Sequence, residues 1–246
     1  MSISLELESG YYRTVHGYLF CQRRPGTGRA LVLLHGLGAN SNTWKKIIKF
    51  LPGDADIYMP DLLGHGRSDA PDIDYGINVE LESVSDFIVS SKIKSPIVFG
   101  NSYGAWIAGL YAAAGKNCGG IVLEDSAGLE PFSEHLRDTA KESAYRAWLL
   151  DESLKMSPER SHVMSSIINN MDKGTLTSSI LSGIKCGALI IWGGADTVVP
   201  SSLGNWLSGE IAGSKLIIID GADHVPHISK PDIVGSAVSE FMGLMH

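Results

Sequence analysis

Short apolar runs recur along most of this chain, separated by polar segments. Continuous runs at 30–35, 97–99, 120–123 and 188–192 are typical of strands buried on both faces of a parallel sheet. Shorter runs predict further strands at 56–60 and 215–220. The loose alternation over 11–23 favours a hairpin or an edge strand.

Between these strands, apolar residues recur at the spacing of amphipathic helices. The spacing predicts helices over 78–93, 203–211 and 231–245, and a further helix after the strand predicted at 97–99. Another predicted helix starts at a Ser41 or Asn42 cap, with an apolar face of Trp44, Ile47, Ile48 and Leu51. About eight strands alternating with helices predict an α/β fold with a doubly wound, mostly parallel sheet. Its ligands are expected at the carboxyl ends of the strands.

The alternation stops after Gly128 and resumes only at the strand predicted over 188–192. This connection is longer than an ordinary βα connection. Its polar, helical character predicts helices over 133–150, 158–171 and 176–184. We interpret 128–186 as a helical cap, or lid, inserted after the strand that ends near Asp125. Residues 1–127 and 187–246 then form the core.

Composition narrows the class of protein. The 246 residues are 44% hydrophobic, which suits one sizeable core, and the net charge of −7 argues against nucleic acid or an anionic membrane as a partner. Cys21, Cys118 and Cys186 are far apart and predict neither a disulfide framework nor a metal site. The first residues lack the features of a signal peptide. We therefore expect a cytoplasmic globular protein, monomeric or homodimeric.

The predicted strand at 97–99 leads into Gly100-Asn101-Ser102-Tyr103-Gly104 and then into small and apolar residues at helical spacing. A serine at a sharp strand-to-helix bend is a nucleophile elbow. In so tight a turn, side chains two residues before or after the serine would collide, which explains the glycines. The pattern predicts Ser102 as a nucleophile.

Two later strand ends carry the partners that a serine nucleophile needs. Asp196 follows the strand predicted over 188–192, and His224 follows the last strand. Imidazole titrates near neutrality, so His224 can accept the serine proton, while Asp196 fixes the tautomer of its ring. The backbone N–H groups of Leu37 and Tyr103 are candidate oxyanion donors.

Other polar residues near these segments leave alternatives open. Glu124 or Asp125, after the preceding strand, could supply the acid in place of Asp196. His227 fits a partly exposed structural histidine at a helix entry, and His35 fits packing beneath the oxyanion loop. The charged segment containing Asp61, His65, Arg67 and Asp69 is interpreted as turn residues that bond one another, and no spacing suggests a metal site.

Five segments together resemble the α/β-hydrolase fold superfamily: HGLGANSNTW, PDLLGHGRSDAP, GNSYGA, IIWGGADTVVP and GADHVPHISKP. The resemblance runs from Ala30 to the C-terminus except across the cap. It implies Ser102 as nucleophile, Asp196 as acid, His224 as base, Leu37 and Tyr103 as oxyanion donors, and 128–186 as the lid. It also implies that one early strand lies antiparallel.

From this resemblance we expect a serine carboxylesterase that acts on small to medium, largely apolar esters and needs neither a cofactor nor a metal. An apolar substrate pocket above Ser102 is predicted from Leu129, Phe132, Trp148, Met156, Met164, Val198 and Val225. One alternative is a carbon–carbon bond hydrolase of a vinylogous diketone. Asn101 matches the pattern of those enzymes, but Val225 stands where they carry a tryptophan. Another alternative is a small-molecule receptor that keeps the triad but turns over little.

Overall fold

The computed structural model describes residues 7–135 and 139–244, without the side chains of residues 133–135, 139–141 and Met156. The described part of the chain contains one eight-stranded sheet. Its strands are β1 (Glu8–Thr14), β2 (Gly17–Arg24), β3 (Ala30–Leu34), β4 (Asp56–Pro60), β5 (Ile97–Asn101), β6 (Gly120–Glu124), β7 (Ala188–Gly193) and β8 (Lys215–Ile219).

The strands lie in the order β1-β2-β4-β3-β5-β6-β7-β8. From β4 to β8 every neighbouring pair is parallel, whereas β2 is antiparallel to both β1 and β4. The predicted doubly wound, mostly parallel sheet is confirmed, and so is the antiparallel early strand that the resemblance implied. The order reverses direction between β3 and β5, so the ends of these strands meet at a topological switch point, where such sheets bind ligands.

Two apolar clusters cover the two faces of the sheet. Ile97 and Phe99 of β5 belong to one cluster, and Val98 between them belongs to the other. Strands β3 and β7 divide their side chains in the same alternating way. Because successive side chains of a strand point to opposite faces, an apolar run without polar interruptions marks a strand covered on both sides.

The described helices fill the connections between strands. The α-helices are α1 (Ile77–Ser90), α2 (Tyr103–Ala113), α3 (Glu130–His135), α4 (Thr139–Met156), α5 (Ser161–Asn169), α6 (Ser178–Leu181), α7 (Ser202–Glu210), α8 (Pro226–Ser229) and α9 (Pro231–Leu244). The 3-10 helices are Ser41–Lys46, Ile48–Phe50 and Pro158–Arg160.

The first predicted helix is wrong in type and in its cap. The segment forms two 3-10 helices, and the side chain of Asn40, not of Ser41 or Asn42, accepts the capping hydrogen bond. Ser41 is engaged elsewhere: its N–H donates to Asp61 at 2.7 Å, and its hydroxyl accepts from Gln22 at 2.6 Å. The four apolar residues predicted for its face are nevertheless buried.

The segment between β6 and β7 also differs from its predicted helices. Within the region predicted as a helix over 133–150, residues 133–135 belong to α3 and residues 139–150 to α4, and residues 136–138 lie outside the described part. The predicted helix over 176–184 is reduced to the short α6, which Thr177 caps by accepting from the N–H of Ile180. Met245, predicted as the end of the last helix, is also outside the described residues.

This segment contacts α2 at its start, near Gly128, and again near Gly174. Gly128 has a φ of 71°, and a Cβ atom there would overlap the ring of Trp106. Leu129 bridges to Leu176, and the indole N–H of Trp106 donates to the carbonyl of Gly174 at 2.9 Å. These contacts place the insertion next to the helix that begins at Ser102. The division into a core and a cap remains a prediction.

Candidate active site

Ser102 occupies the bend between β5 and α2. Its φ of 52° and ψ of −110° lie in a region that residues with a side chain rarely adopt. A Cβ atom on Gly100 would overlap the carbonyl of Gly104, and one on Gly104 would overlap the carbonyl of Leu34. The Ser102 N–H donates to the carbonyl of Glu124 at 2.9 Å, which fixes the bend against the neighbouring strand. Backbone crowding therefore explains both glycines.

The loops after β7 and β8 bring two partners to Ser102. His224 Nε2 lies 2.9 Å from Ser102 Oγ, and His224 Nδ1 lies 2.7 Å from Asp196 Oδ2. The side-chain amide of Asn101 donates to the carbonyl of His224 at 3.1 Å and so attaches the histidine loop to the elbow. Three residues from three strand ends form one continuous hydrogen-bonded chain.

Asp196 is held as a carboxylate. Its side chain has no exposure, and burial by itself would raise its pKa. Hydrogen bonding and charge from His224, together with the N–H groups of Val198 and Val199, outweigh burial and lower the pKa of Asp196 below its usual value. An ionised Asp196 directs the Nδ1 proton of His224 toward itself, which leaves Nε2 able to accept from Ser102.

Neither alternative acid contacts His224 in this way. Glu124 Oε2 lies 2.5 Å from His227 Nδ1, and Glu124 Oε1 accepts from the His227 N–H at 3.0 Å. Asp125 Oδ1 accepts from the N–H of Gly193 at 2.8 Å. Asp196 is therefore the carboxylate that the structure places against His224 Nδ1.

His227 is not partly exposed, as the sequence suggested, but completely buried. Besides Glu124, its ring contacts Thr43 Oγ1 at 2.9 Å through Nε2 and stacks on Trp44 with the ring centroids 4.1 Å apart. The prediction was wrong because all three contacts come from segments remote in sequence.

The charged segment after β4 consists of turn residues. The Asp61 carboxylate accepts from the N–H groups of Ser41 and Arg67 at 2.7 and 2.9 Å. His35 Nε2 accepts from the N–H of Leu62 at 2.9 Å, and burial lowers the pKa of His35. Burial likewise lowers the pKa of His65 to about 3, so both rings are neutral at physiological pH.

The two candidate oxyanion donors border the same cavity as Ser102. Tyr103 begins α2, and the first N–H groups of a helix have no acceptor within it. Leu37 follows Gly36, where a Cβ atom would stand 3.2 Å from Asn101 Oδ1 and 3.5 Å from Ser102 Cβ. The loop after β3 therefore lies directly against the nucleophile, as an oxyanion loop requires.

A cavity of about 310 Å³ opens above Ser102, with a mainly apolar lining. Of the predicted pocket residues, Trp148, Val198 and Val225 line it. Its lining also includes residues that the sequence did not single out for the pocket: Thr43, Trp106, Tyr145, Leu149, Ile167, Met171 and Ile228. Tyr145, Trp148 and Leu149 share one side of α4, and their helical spacing is the sequence signal that could have added Tyr145 and Leu149 to the predicted pocket.

Three predicted pocket residues do not line this cavity. Leu129 and Met164 are fully buried in the core cluster beside α2. Phe132 borders a separate cavity of about 390 Å³, next to Tyr145 and Met171. The side chain of Met156 is outside the described part, so its predicted place in the pocket stays a prediction.

Among the described residues, Asp125, Asp196 and His224 form a group close enough to hold a metal ion. Both ring nitrogens of His224 already face hydrogen-bond partners, so a cation would have to displace the contact to Ser102 or to Asp196. The arrangement fits proton transfer better than metal binding.

A serine, an aspartate and a histidine in this chain order on the strand ends of a doubly wound sheet define an α/β hydrolase. The chain belongs to the alpha/beta hydrolase family, whose model matches residues 31–237. The chain matches uncharacterised mycobacterial proteins, including one from Mycobacterium tuberculosis, at 38% identity over 101 residues. That match spans 41% of this chain and 30% of the relative.

Longer matches are more distant. Monoacylglycerol lipase ABHD6 of Mus musculus is 23% identical over 93% of this chain and 81% of its own length. The structure of a putative lipase from Acinetobacter baumannii has a TM-score of 0.82 at 18% identity, covering 97% of this chain and 92% of that one. The structure of a meta-cleavage product hydrolase, CumD, has a TM-score of 0.78 at 21% identity, covering 96% of this chain and 98% of that one. No helix in the described parts of the chain is both long and apolar enough to cross a bilayer.

Proposed function

We propose that this protein is a serine esterase that cleaves small to medium, largely apolar carboxylic esters. The observation that carries the proposal is the hydrogen-bonded chain from Asp196 through His224 to Ser102 at the base of an apolar cavity. Cleavage of an ester by such a chain needs only side chains, backbone donors and water. The likeness to named lipases supports the same reaction class.

In the proposed reaction, Ser102 Oγ attacks the ester carbonyl while His224 Nε2 takes its proton. The N–H groups of Leu37 and Tyr103 donate hydrogen bonds to the oxyanion, and each donor lowers the barrier by about 2.7–4 kcal/mol. His224 then protonates the leaving alcohol, and an acyl-enzyme remains on Ser102. Water, deprotonated by His224, attacks this acyl group, and the acid leaves as Ser102 regains its proton.

The volume of the cavity, about 310 Å³, predicts a limit on acyl length. With p-nitrophenyl esters of increasing chain length, we expect kcat/KM to rise while added methylenes bury apolar surface and to fall once the chain outgrows the cavity. Leu149→Trp should lower kcat/KM for the best wild-type ester about tenfold or more, but that for the acetate only about threefold or less. Ala147→Trp is the matched control, because Ala147 is exposed on the same helix and does not line the cavity. An equal loss on all esters would place the acyl chain elsewhere.

Activity is expected to fall toward acid pH, because the imidazolium form of His224 cannot accept the serine proton. The carboxylate of Asp196 does not limit this range, since its pKa is lowered. Measured between pH 4 and 9, kcat/KM should drop about tenfold per pH unit on the acid side. A flat profile across the acid range would contradict His224 as the base.

Adding further substrates to the series of p-nitrophenyl esters distinguishes the esterase from a carbon–carbon hydrolase and from a small-molecule receptor. A vinylogous diketone is included because a carbon–carbon hydrolase shares this fold. Cleavage of the diketone faster than of any ester would replace the proposal with carbon–carbon bond hydrolysis. Tight binding of a small molecule with negligible turnover of every substrate would favour a receptor.

A further inference from the structure

Asp125 is a buried carboxyl group that the proposed reaction does not use. It follows β6 with a φ of 45°, a left-handed conformation that is costly for a residue with a side chain. Its N–H donates to the carbonyl of Ile191 at 3.0 Å, and its Oδ1 accepts from the N–H of Gly193 at 2.8 Å. Two contacts to β7 thus hold Asp125 at the base of the loop that carries Asp196.

The carboxyl group of Asp125 lies next to that of Asp196. One oxygen of each, together with a ring nitrogen of His224, lie within 4.8 Å of one another. Both carboxyl side chains are out of contact with water. Two carboxylates so close in a dry environment do not both ionise, so one of them keeps a proton.

The hydrogen bonds show which carboxyl group keeps it. Asp196 faces three nitrogen donors, on Val198, Val199 and His224. Asp125 receives one hydrogen bond, at Oδ1, and its buried Oδ2 accepts none from any donor among the described residues. Donors stabilise the ionised form, so the negative charge belongs on Asp196 and the proton on Asp125 Oδ2.

We propose that Asp125 is a neutral carboxylic acid whose Oδ2–H donates to Asp196, making it a positioning residue for the triad acid. Its catalytic consequence rests on the proposed function. Burial and the adjacent charge of Glu124 raise the pKa of Asp125 to about 10, in agreement with this assignment. The donated hydrogen bond favours the ionised Asp196 and fixes the carboxylate that orients His224.

The titratable groups around Asp125 come from four parts of the fold. Glu124 precedes Asp125 and is paired with His227. Asp196 and His224 lie on the loops after β7 and β8, and Tyr145 of α4 faces Asp196. Burial raises the pKa of Tyr145 to about 12, so its hydroxyl carries no charge in the working range. A pH profile in the acid range therefore reports on the carboxyl groups and His224.

The test compares wild type with Asp125→Asn and Asp125→Ala. Asparagine keeps an acceptor for Gly193 and a donor for Asp196, so it mimics the neutral acid. We expect Asp125→Asn to keep kcat/KM within about twofold and to leave the acid limb in place. Asp125→Ala should lower kcat/KM about tenfold, the value of one lost hydrogen bond to a charged group.

Two readouts do not depend on turnover: the infrared C=O band of a protonated carboxyl group and the proton NMR resonance of the His224 Nδ1–H.

The infrared difference between wild type and Asp125→Asn should contain the protonated-carboxyl band, and the NMR resonance should move in Asp125→Ala but not in Asp125→Asn. An ionised Asp125 would give no such band, and its replacement by asparagine would shift the acid limb about one unit toward acid pH. Either result overturns the proposal, as does an unmoved resonance in Asp125→Ala. If the alanine variant does not fold, the band and the asparagine profile decide. If wild type cleaves no ester, the proposed function fails. The infrared band and the His224 Nδ1–H resonance still test whether Asp125 is protonated and donates to Asp196.

Discussion

Replacing Ser102 by alanine is expected to lower kcat for ester hydrolysis roughly 10⁵- to 10⁶-fold, the loss typical of a removed triad nucleophile. The substitution deletes the one atom that would attack the carbonyl and accept the acyl group. It leaves the bend unchanged, because alanine has the same Cβ atom that Ser102 already holds at a φ of 52°. His224 keeps its contact to Asp196 and retains some exposure to water on its free side. Activity should therefore disappear without loss of fold.

Ser126→Ala is the matched control. Ser126 is also a buried serine just beyond a strand end, but its hydroxyl donates to the carbonyl of Ala127 and takes no part in the chain to His224. Wild type and Ser126→Ala should be labelled by a fluorophosphonate, and mass spectrometry should place the label on Ser102. The Ser102→Ala variant should remain unlabelled. Labelling at another residue, or ester turnover within about a hundredfold of wild type, would show that Ser102 is not the nucleophile.

The arrangement of Ser102, Asp196 and His224 was predictable because the signals are local. Each residue follows a continuous apolar strand, and parallel strands bring their carboxyl ends to one edge of the sheet. The glycines around Ser102 also report a local requirement, since backbone atoms occupy the space that side chains would need. Strand identity and chain order together were enough to place three distant residues next to each other.

The lining of the cavity was less predictable. Helices between β6 and β7 face two apolar environments, the core beside α2 and the cavity above Ser102. Met164 and Ile167 both belong to α5, yet Met164 faces only the core whereas Ile167 borders both. Hydrophobic periodicity marks a buried face without saying which of two apolar spaces it meets. This ambiguity explains why Leu129 and Met164 were assigned to the pocket.

Pairs between remote buried residues carry no sequence signal at all. The sequence offered Glu124 as a possible triad acid and His227 as a partly exposed histidine, but each is the main partner of the other. His227 belongs to α8, which begins directly after the loop that carries His224. The Glu124–His227 pair therefore fixes the segment that carries the proposed base, and it links the stability of the fold to the geometry of the site.

Replacing Glu124 by alanine is expected to lower the free energy of unfolding by about 3–5 kcal/mol, the cost of removing one partner from a buried ion pair. Both side chains are completely buried, and the loss leaves the backbone N–H and the Nδ1 of His227 without their acceptor. Urea denaturation measures this change, provided that the slope with denaturant stays constant. His227→Ala should cost a similar amount, because it leaves the Glu124 carboxylate unpaired and removes the ring stacked on Trp44.

The chain contains its own control in the surface pair of Glu82 with His16, whose side chains are 60% and 23% exposed. Its nitrogen and oxygen lie 2.7 Å apart, so the two pairs have nearly the same length but very different access to water. Glu82→Ala should cost only about 0–1 kcal/mol, because water solvates the remaining histidine. The double variant lacking both Glu124 and His227 should lose less than the sum of the single losses, since each substitution removes the same interaction. If Glu124→Ala costs no more than Glu82→Ala, burial does not strengthen this pair, and the loop that carries His224 must be held by its other contacts, such as the Asn101 amide.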